Sequence, residues 1–240
     1  MVTGVARYLG ARFARLLSDD PGVDRVIGVD VISPSYDIGR TEFVRADIRS
    51  PGMAEIIAAT GVDTVVHMNV LATPVDAGGR APQKEINVIG TMQLLAACQR
   101  SPSVRRLVVK SSTTVYGASA RDPAMFTEDM SARARPRSGY AKDSIEVEGY
   151  VRGFSRRRPD VQVTALRFAN FIGPGVRTPL TEYFTLPVVP VVLGHDARLQ
   201  FIQEDDGLAA LRLATMSDHP GVFNVAGDGV LMLSQAVARA

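Results

Sequence analysis

The sequence predicts an α/β fold, with a doubly wound parallel sheet of the Rossmann type. Short apolar runs rich in branched residues alternate with amphipathic stretches of helical period over most of the chain. This alternation is typical of parallel strands whose connecting helices cover both faces of one sheet. A glycine-rich turn at residues 3–10 precedes the first helical stretch, and Asp30 ends the next strand. Folds of this kind bind ligands at the carboxyl ends of their strands.

Each element follows from its local pattern. Strands are predicted where β-branched residues cluster in short runs; these runs are residues 25–30, 64–67, 107–110 and 161–167. Helices are predicted where apolar residues recur three and four positions apart; these stretches are residues 8–17, 54–59, 84–99 and 140–156.

The composition of the chain changes after Phe171. Four prolines interrupt residues 173–194, and short apolar runs follow them, which predicts a smaller and irregular lobe. We therefore expect a first domain at residues 1–170 and a small, truncated C-terminal lobe at residues 171–240. Both ends are expected to be cut, because three residues precede the first turn where a strand has about five. At the other end, the chain stops inside a helix-like pattern.

Composition narrows the class of protein. A hydrophobic content of 46% over 240 residues is enough for one large core. A net charge of +2 favours neither nucleic acid nor an anionic membrane as a partner. The single cysteine, Cys98, excludes an internal disulfide and fits a reducing cytoplasm. No apolar stretch is long enough to cross a bilayer, and the first residues lack the features of a signal peptide. The sequence thus predicts a cytoplasmic protein.

The turn at residues 3–10 predicts a dinucleotide site. A glycine-rich connection from strand to helix presents backbone N–H groups and a helix dipole to a diphosphate. Asp30, 20 residues after Gly10, is placed to accept hydrogen bonds from the adenosine ribose and to repel a 2′-phosphate. This favours NAD over NADP. The alternative is a plain turn followed by an acid at a strand end.

Seven segments, in order, resemble the extended short-chain dehydrogenase/reductase family, in its NAD-dependent epimerase/dehydratase branch. The first is Thr3-Gly4-x-x-Arg7-x-x-Gly10, where the family has glycine in place of Arg7. The others are Ala-Asp-Ile at 46–48, Val-Val-His-Met-Asn-Val at 65–70, Asn-Val-Ile-Gly-Thr at 87–91, Lys-Ser-Ser-Thr-Thr-Val-Tyr-Gly at 110–117, Leu-Arg-Phe-Ala-Asn-Phe-Ile-Gly-Pro-Gly at 166–175 and Gln-Phe-Ile-Gln-Glu-Asp-Asp at 200–206. The last resembles the family segment Phe-Ile-His-Val-Asp-Asp, which has valine where this chain has Glu204. The pattern is also similar to that of actinobacterial UDP-glucose 4-epimerase homologues.

The resemblance implies a set of site residues. Those expected to contact NAD are Gly4, Arg7, Tyr8, Leu9, Gly10, Asp30, Asp47, Ile48, Met68, Asn69 and Asn87. Asn170 is expected to contact a nucleoside-diphosphate sugar, and the C-terminal segment to form the substrate lobe. The family commonly pairs through a four-helix interface, so a homodimer is expected through residues 84–99 and 140–156. No His or Cys spacing indicates a metal site.

At the reacting centre the resemblance makes Ser112 the hydroxyl donor and Tyr140 the acid/base. The family pattern Tyr-x-x-x-Lys requires a lysine one helical turn after the tyrosine, where its charge stabilises the phenolate. Ser144 stands there instead. Lys110 shares a strand face with Ser112 and is, with Ser144, a candidate to compensate, whereas Lys142 is expected to point away. Structural roles for Ser112, as a strand-end cap, and for Tyr140, as a packing residue, remain open.

Two functions follow from these observations. The first is an NAD-binding epimerase/dehydratase-type oxidoreductase that acts on a nucleoside-diphosphate sugar. The second is a family member that binds NAD without turnover and serves as a sensor or interaction protein. The missing lysine and Arg7 favour the second, whereas Ser112, Tyr140 and Asp30 favour the first.

Overall fold

The computed structural model describes residues 1–119, 122–123, 125–134 and 136–239. The strands are, in chain order, β1 Val2–Thr3, β2 Ile27–Asp30, β3 Glu42–Arg45, β4 Thr64–His67, β5 Arg106–Ser112, β6 Gln162–Phe168, β7 Asn170–Ile172, β8 Arg198–Leu199, β9 Phe201–Gln203, β10 Gly221–Val225 and β11 Leu231–Met232. The α-helices are α1 Tyr8–Ser18, α2 Met53–Thr60, α3 Arg80–Lys84, α4 Thr91–Arg100, α5 Gly139–Arg157, α6 Pro179–Phe184, α7 Glu204–Met216 and α8 Leu233–Val237. Short 3₁₀ segments lie at Val75–Ala77 and Thr113–Tyr116, and the segment Glu85–Gly90 is π-helical.

Seven strands form one parallel sheet in the order β10-β6-β5-β4-β1-β2-β3. The strand order reverses at β1, which pairs with β2 through Thr3 and Val29 and with β4 through Thr3 and His67. The carboxyl ends of β1, β2, β4 and β5 therefore surround a topological switch point, where doubly wound folds bind their ligands. The predicted Rossmann-like fold is confirmed.

Two apolar cores lie on opposite faces of this sheet. One contains buried residues of α2, α4 and α5 with Leu107 and Val109 of β5, and the other joins α1 and α7 with Val108. The alternation of Leu107, Val108 and Val109 between the cores is the period-two pattern of a strand buried on both faces. Phe13 on α1 and Phe154 on α5 are fully buried, and truncation of such a side chain costs about 3–5 kcal/mol.

The structure differs from the sequence expectation in a few elements. Residues 84–99 were expected as one regular helix, but they span the end of α3, the π-helical segment and most of α4. The wider π turn includes Asn87, whose side chain binds the backbone of Leu71. The strands β3 and β10 were missed, because they lie at the two edges of the sheet and have mixed, partly exposed sequences.

Residues after 170 form two small sheets and also extend the main sheet. Two small sheets, β7 with β9 and β8 with β11, lie apart from the main sheet. However, β10 returns to pair with β6 in parallel, and α7 packs on the main sheet in the α1 core. The division of the chain at residue 170 therefore stays a proposal, with the two small sheets as the part expected to form the substrate lobe.

Candidate dinucleotide site and reacting centre

The turn between β1 and α1 is a tight, glycine-dependent connection. Gly4 has a φ of +83°, which residues with a side chain rarely adopt. A Cβ at position 10 would collide with the Gly4 carbonyl oxygen, so glycine is required there too. The Arg7 N–H donates to the Gly4 carbonyl at 3.2 Å, and the half-buried Arg7 is the residue that directly precedes helix α1. No acidic residue lies in the first turn of α1. This geometry fits a diphosphate at the helix N terminus.

Asp30 lies beside this turn at the end of β2. One of its carboxylate oxygens accepts the Ala6 N–H at 3.0 Å and the other accepts the Val31 N–H at 2.8 Å. The side chain is largely buried, with 7% of its surface exposed. Each oxygen keeps a further lone pair for a hydroxyl donor. The carboxylate is thus fixed beside the glycine turn, and its contact with a ribose stays a prediction.

Asp47 and Ile48, the two residues expected near adenine, both contact other residues of the protein. Arg49 binds Asp47 with distances of 2.6–3.0 Å, and its hydrogen bonds hold the pKa of Asp47 below its ordinary value. Ile48 is buried against Gly90, where an added Cβ would lie 2.6 Å from the Ile48 Cδ1. Asp47 is only half-buried, so part of its side chain is accessible to a ligand.

The turn after β4 is held by buried polar side chains. The Met68 N–H donates to Thr3 Oγ1 at 3.2 Å, and Asn69 lies directly against Gly4. Asn87 is fully buried: its oxygen accepts from the Leu71 N–H, and its amide donates to the Leu71 carbonyl and to Asp143. Asn87 therefore shapes the loop beside the crevice, and a direct contact between Asn87 and the cofactor stays a prediction.

His67 connects three elements. One ring nitrogen lies 2.9 Å from Thr3 Oγ1 on β1, and the other lies 2.8 Å from Thr91 Oγ1 on α4. Burial, with a smaller effect from the charge of Lys110, lowers the pKa of His67 from 6.5 to about 4. The histidine is therefore neutral near pH 7. His67 is therefore a buried core residue with both ring nitrogens hydrogen-bonded.

Lys110 lies at the end of β5, on the face of the sheet that packs against α1 and α7. Its ammonium group is 5.8 Å from the centre of the Phe171 ring, and its strand neighbour Val108 belongs to the α1 core. Tyr140, in contrast, packs on the core of the opposite face. Lys110 therefore packs beside Phe171, and its role as a replacement for the missing lysine stays a prediction.

Ser112 ends β5 and caps the following 3₁₀ turn. Its hydroxyl oxygen accepts from the Thr114 N–H at 3.2 Å and from the Thr114 hydroxyl at 3.1 Å. The capping role that the sequence left open is therefore present. It does not exclude the catalytic role, since the Ser112 hydroxyl hydrogen remains available as a donor. Ser112 is also only half-buried.

Tyr140 is the second residue of α5 and is half-buried. One turn later, Ser144 is buried and its hydroxyl donates to the Tyr140 carbonyl oxygen at 2.9 Å. Ser144 therefore bonds to the helix backbone, a common arrangement for serine within a helix. Lys142 is exposed, as expected for a residue that points away from the site.

Sequence reasoning missed an ion pair beside Tyr140. The fully buried Asp143 is bound by both terminal nitrogens of Arg80, at 2.5 and 2.6 Å. The same guanidinium donates to the Gly139 carbonyl at 3.1 Å, so it contacts the first turn of α5. Arg80 and Asp143 are 63 positions apart, and no local pattern signals their contact.

A second missed cluster joins the first turn of α1 to α7; it consists of Tyr8, Arg12 and Glu204, and we call it the Glu204 cluster. The Tyr8 hydroxyl and Arg12 both donate to one Glu204 oxygen, at 3.1 and 2.7 Å. The signal in the sequence was the acid at position 204, where the resemblance has valine. Leu9, the next residue of α1, is half-buried.

Asn170 lies at the start of β7 with its side chain exposed, and its amide makes only a long bond of 3.3 Å to the Gln200 carbonyl. It is thus accessible for the expected substrate contact, which stays a prediction.

Within the described ranges, no group of three or more His, Cys, Asp or Glu side chains is arranged to hold a metal ion. No helix formed by the described residues is long and apolar enough to cross a membrane.

Known proteins with similar sequences or structures point to one family. An uncharacterised protein of Mycobacterium tuberculosis (strain ATCC 25618 / H37Rv) is 52% identical over 244 residues, a match that covers all of this chain and 65% of that protein. The chain thus spans somewhat less than two thirds of this relative. Among solved structures, MoeE5 in complex with UDP-glucuronic acid and NAD is 28% identical, with a TM-score of 0.81 over 99% of this chain and 79% of that chain.

The dTDP-glucose 4,6-dehydratase DesIV from Streptomyces venezuelae, in a double-mutant form with NAD bound, is 25% identical. Its TM-score is 0.83, and the match covers 99% of this chain and 78% of DesIV. The model of the NAD dependent epimerase/dehydratase family matches residues 1–226. The resemblance expected from seven motifs is confirmed, and NAD, the predicted cofactor, is the cofactor of that family. The chain belongs to the NAD-dependent epimerase/dehydratase family.

Proposed function

We propose that this protein binds NAD at the carboxyl edge of its sheet and acts on a nucleoside-diphosphate sugar by transient hydride transfer. The observation that carries the proposal is the tight turn of Gly4 and Gly10, with the oriented carboxylate of Asp30 beside it. The family assignment and the nucleotide-sugar complexes of MoeE5 support it. The single, buried Cys98 fits a place in the reducing cytoplasm.

The residues would divide the work of binding as follows. The N–H groups at the start of α1, with Gly4, would hold the diphosphate, and Arg7 would add a cation able to pair with it. Asp30 would bind the adenosine ribose, while Asp47 and Ile48 would border the adenine. NAD, when bound, supplies a nicotinamide ring that accepts and returns a hydride.

Ser112 and Tyr140 would perform the proton transfers. Ser112 donates a hydrogen bond to the reacting sugar oxygen, and Tyr140 takes and returns the proton of that hydroxyl. Asn170, exposed on β7, would contact the substrate. Since Ser144 supplies no cation, we expect turnover near pH 7 to be slow.

The alternative is a binding protein that holds NAD without turnover. It is favoured by one observation: the position of the expected lysine is a buried serine that bonds to its own helix, next to the neutralised pair of Arg80 and Asp143. The comparisons contain no support for this alternative.

A redox assay with purified protein distinguishes the two functions. NAD binding is measured first by calorimetry, and bound NAD is then followed by absorbance at the NADH band while UDP- and dTDP-sugars are added in turn, from neutral to alkaline pH. Reduction of NAD, or conversion of a sugar nucleotide detected by chromatography, supports the enzyme. Tight NAD binding with neither signal at any pH supports the binding protein. Absence of NAD binding would contradict both.

A further inference from the structure

Helices α1 and α7 lie side by side and are joined by ion pairs at both ends. At the amino-terminal ends, Arg12 binds Glu204 and Asp205, each at 2.7 Å. Towards the opposite ends, Arg212 of α7 binds Asp20, which lies two residues after the end of α1, at 2.5 Å. Only the first contact lies next to the glycine turn of the dinucleotide site. The pair of Arg212 and Asp20 therefore serves as a control, because it joins the same region of the fold away from the dinucleotide site.

Glu204 is placed in an unfavourable environment. Only 4% of the residue is exposed, and its Oε2 has no hydrogen-bond partner among the described residues. A carboxylate that is buried with one oxygen unsatisfied destabilises a fold relative to an apolar residue of similar size. The family pattern has valine at this position. Fold stability therefore leaves the second oxygen of Glu204 unexplained.

Tyr8 is the residue through which Glu204 reaches the cofactor site. It is the first residue of α1 and directly follows Arg7. Its ring also meets Tyr36, from the loop after β2, with an edge-on contact at 5.5 Å between ring centres. On the lobe side, a Cβ on Gly175 would collide with the Tyr8 ring, and one on Gly173 would collide with the Glu204 carboxyl group. The Glu204 cluster thus contacts the loop after β2 and the loop after β7.

We infer that Glu204 is a positioning residue for the cofactor, which through Tyr8 and Arg12 holds the first turn of α1 in the orientation that binds the diphosphate. The same contacts tie this turn to the loop of Gly173 and Gly175, so cofactor binding and the packing of the lobe are coupled. The cofactor part of the inference rests on the proposed function. The physical principle is that donors held rigidly before binding lose less freedom when the ligand binds.

The test compares two substitutions that act on the same pair of helices. Glu204→Val replaces the acid with the residue of the family pattern and leaves Arg12 paired with Asp205, whereas Arg212→Met breaks the distant pair. Dissociation constants for NAD are measured by calorimetry and melting temperatures by circular dichroism. We expect Glu204→Val to weaken NAD about fivefold or more, the lower end of ordinary coupling between sites, with an unchanged or higher melting temperature. Arg212→Met should lower the melting temperature and change the affinity less than about twofold.

Two further measurements keep the inference testable. Glu204→Gln retains acceptor oxygen for Tyr8, so its affinity should lie between those of the wild type and Glu204→Val. Hydrogen exchange of the first turn of α1, measured without NAD, should be faster in Glu204→Val than in Arg212→Met. If the wild type binds NAD and the two variants bind it equally well, the inference is wrong and the proposed function stands. If the wild type does not bind NAD, the proposed function fails, and equal exchange rates in the two variants would overturn the positioning role as well.

Discussion

Position 144 lies one helical turn after Tyr140, the residue that we propose as the acid/base. The family pattern places a lysine there, and a cation one turn from a phenol stabilises its ionised form. In this chain the Ser144 hydroxyl donates to the Tyr140 carbonyl oxygen, and the adjacent Asp143 is paired with Arg80. Neither arrangement leaves an uncompensated positive charge beside the phenol. A lysine at position 144 would supply such a charge.

We predict that activity of the wild type, measured as sugar-nucleotide conversion, rises from neutral to alkaline pH. Ser144→Lys should shift the profile to lower pH, because the added cation favours the phenolate, and should raise the neutral rate by about tenfold, the effect of one unit of pKa. Ser144→Met, similar in length but uncharged, is the control and should leave the profile in place. A fast wild-type enzyme with a neutral optimum that is insensitive to Tyr140→Phe would contradict the assignment.

We predict that Asp30 sets the choice of dinucleotide. Its carboxylate repels a 2′-phosphate, so NAD should bind at least about tenfold more tightly than NADP, which corresponds to 1.4 kcal/mol. Asp30→Asn preserves the size of the side chain and removes the charge, and it should narrow this gap. Calorimetric titrations with both dinucleotides measure the effect. Equal affinities of the wild type for NAD and NADP would remove Asp30 from this role.

At the scale of elements, buried polar contacts hold strands and helices in register at the carboxyl edge. His67 joins β4 to Thr3 on β1 and to Thr91 on α4, and Asn87 joins the π-helical segment to the loop at Leu71. Each group is buried and hydrogen-bonded, so loss of one partner leaves the other unsatisfied, at a cost of about 1–3 kcal/mol. These contacts shape the crevice without being exposed to a ligand.

The lowered pKa of His67 makes stability depend on pH. In the folded state the pKa falls from 6.5 to about 4, so between these values the unfolded chain binds the extra proton. Stability therefore decreases as pH falls through this window, by about 3 kcal/mol in total, and does not change further from this group below pH 4. His67→Gln should reduce this acid sensitivity in urea unfolding at pH 7 and pH 4.5, even if it lowers stability at pH 7. The exposed His195→Gln is the control, and an equal effect of both substitutions would contradict the argument.

At the scale of the whole molecule, two exposed apolar side chains lie on the helices expected to form a dimer. Ile89, in the π-helical segment, is 40% exposed, and Tyr150, on α5, is 37% exposed. Aromatic side chains are enriched at interfaces, whereas charged ones are depleted from interface centres. The sequence expectation of a homodimer through these helices therefore stays a prediction, with two residues that can test it.

We predict that the protein sediments as a dimer and that Tyr150→Glu combined with Ile89→Glu shifts it to the monomer. The charge would have to be buried without a partner at the interface, which opposes association by several kcal/mol. Leu213→Glu, on α7 at the other face of the sheet and 56% exposed, is the matched control. Analytical ultracentrifugation measures the effect, and a monomeric wild type would refute the prediction.

Local patterns in the sequence were enough to predict the parallel sheet, the glycine turn and the position of Asp30 at the end of a strand. The sequence also shows directly that Ser144 stands where the family pattern has a lysine. Each of these depends on neighbouring residues, on strand and helix periods or on the spacing of a motif. Three features emerged only in the folded chain: the return of β10 to the sheet, the pairing of Arg80 with Asp143, and the contact of Tyr8 with Glu204 across 196 positions. A charged side chain selects its partner by distance and burial, and for residues far apart in sequence these are properties of packing that no local pattern contains.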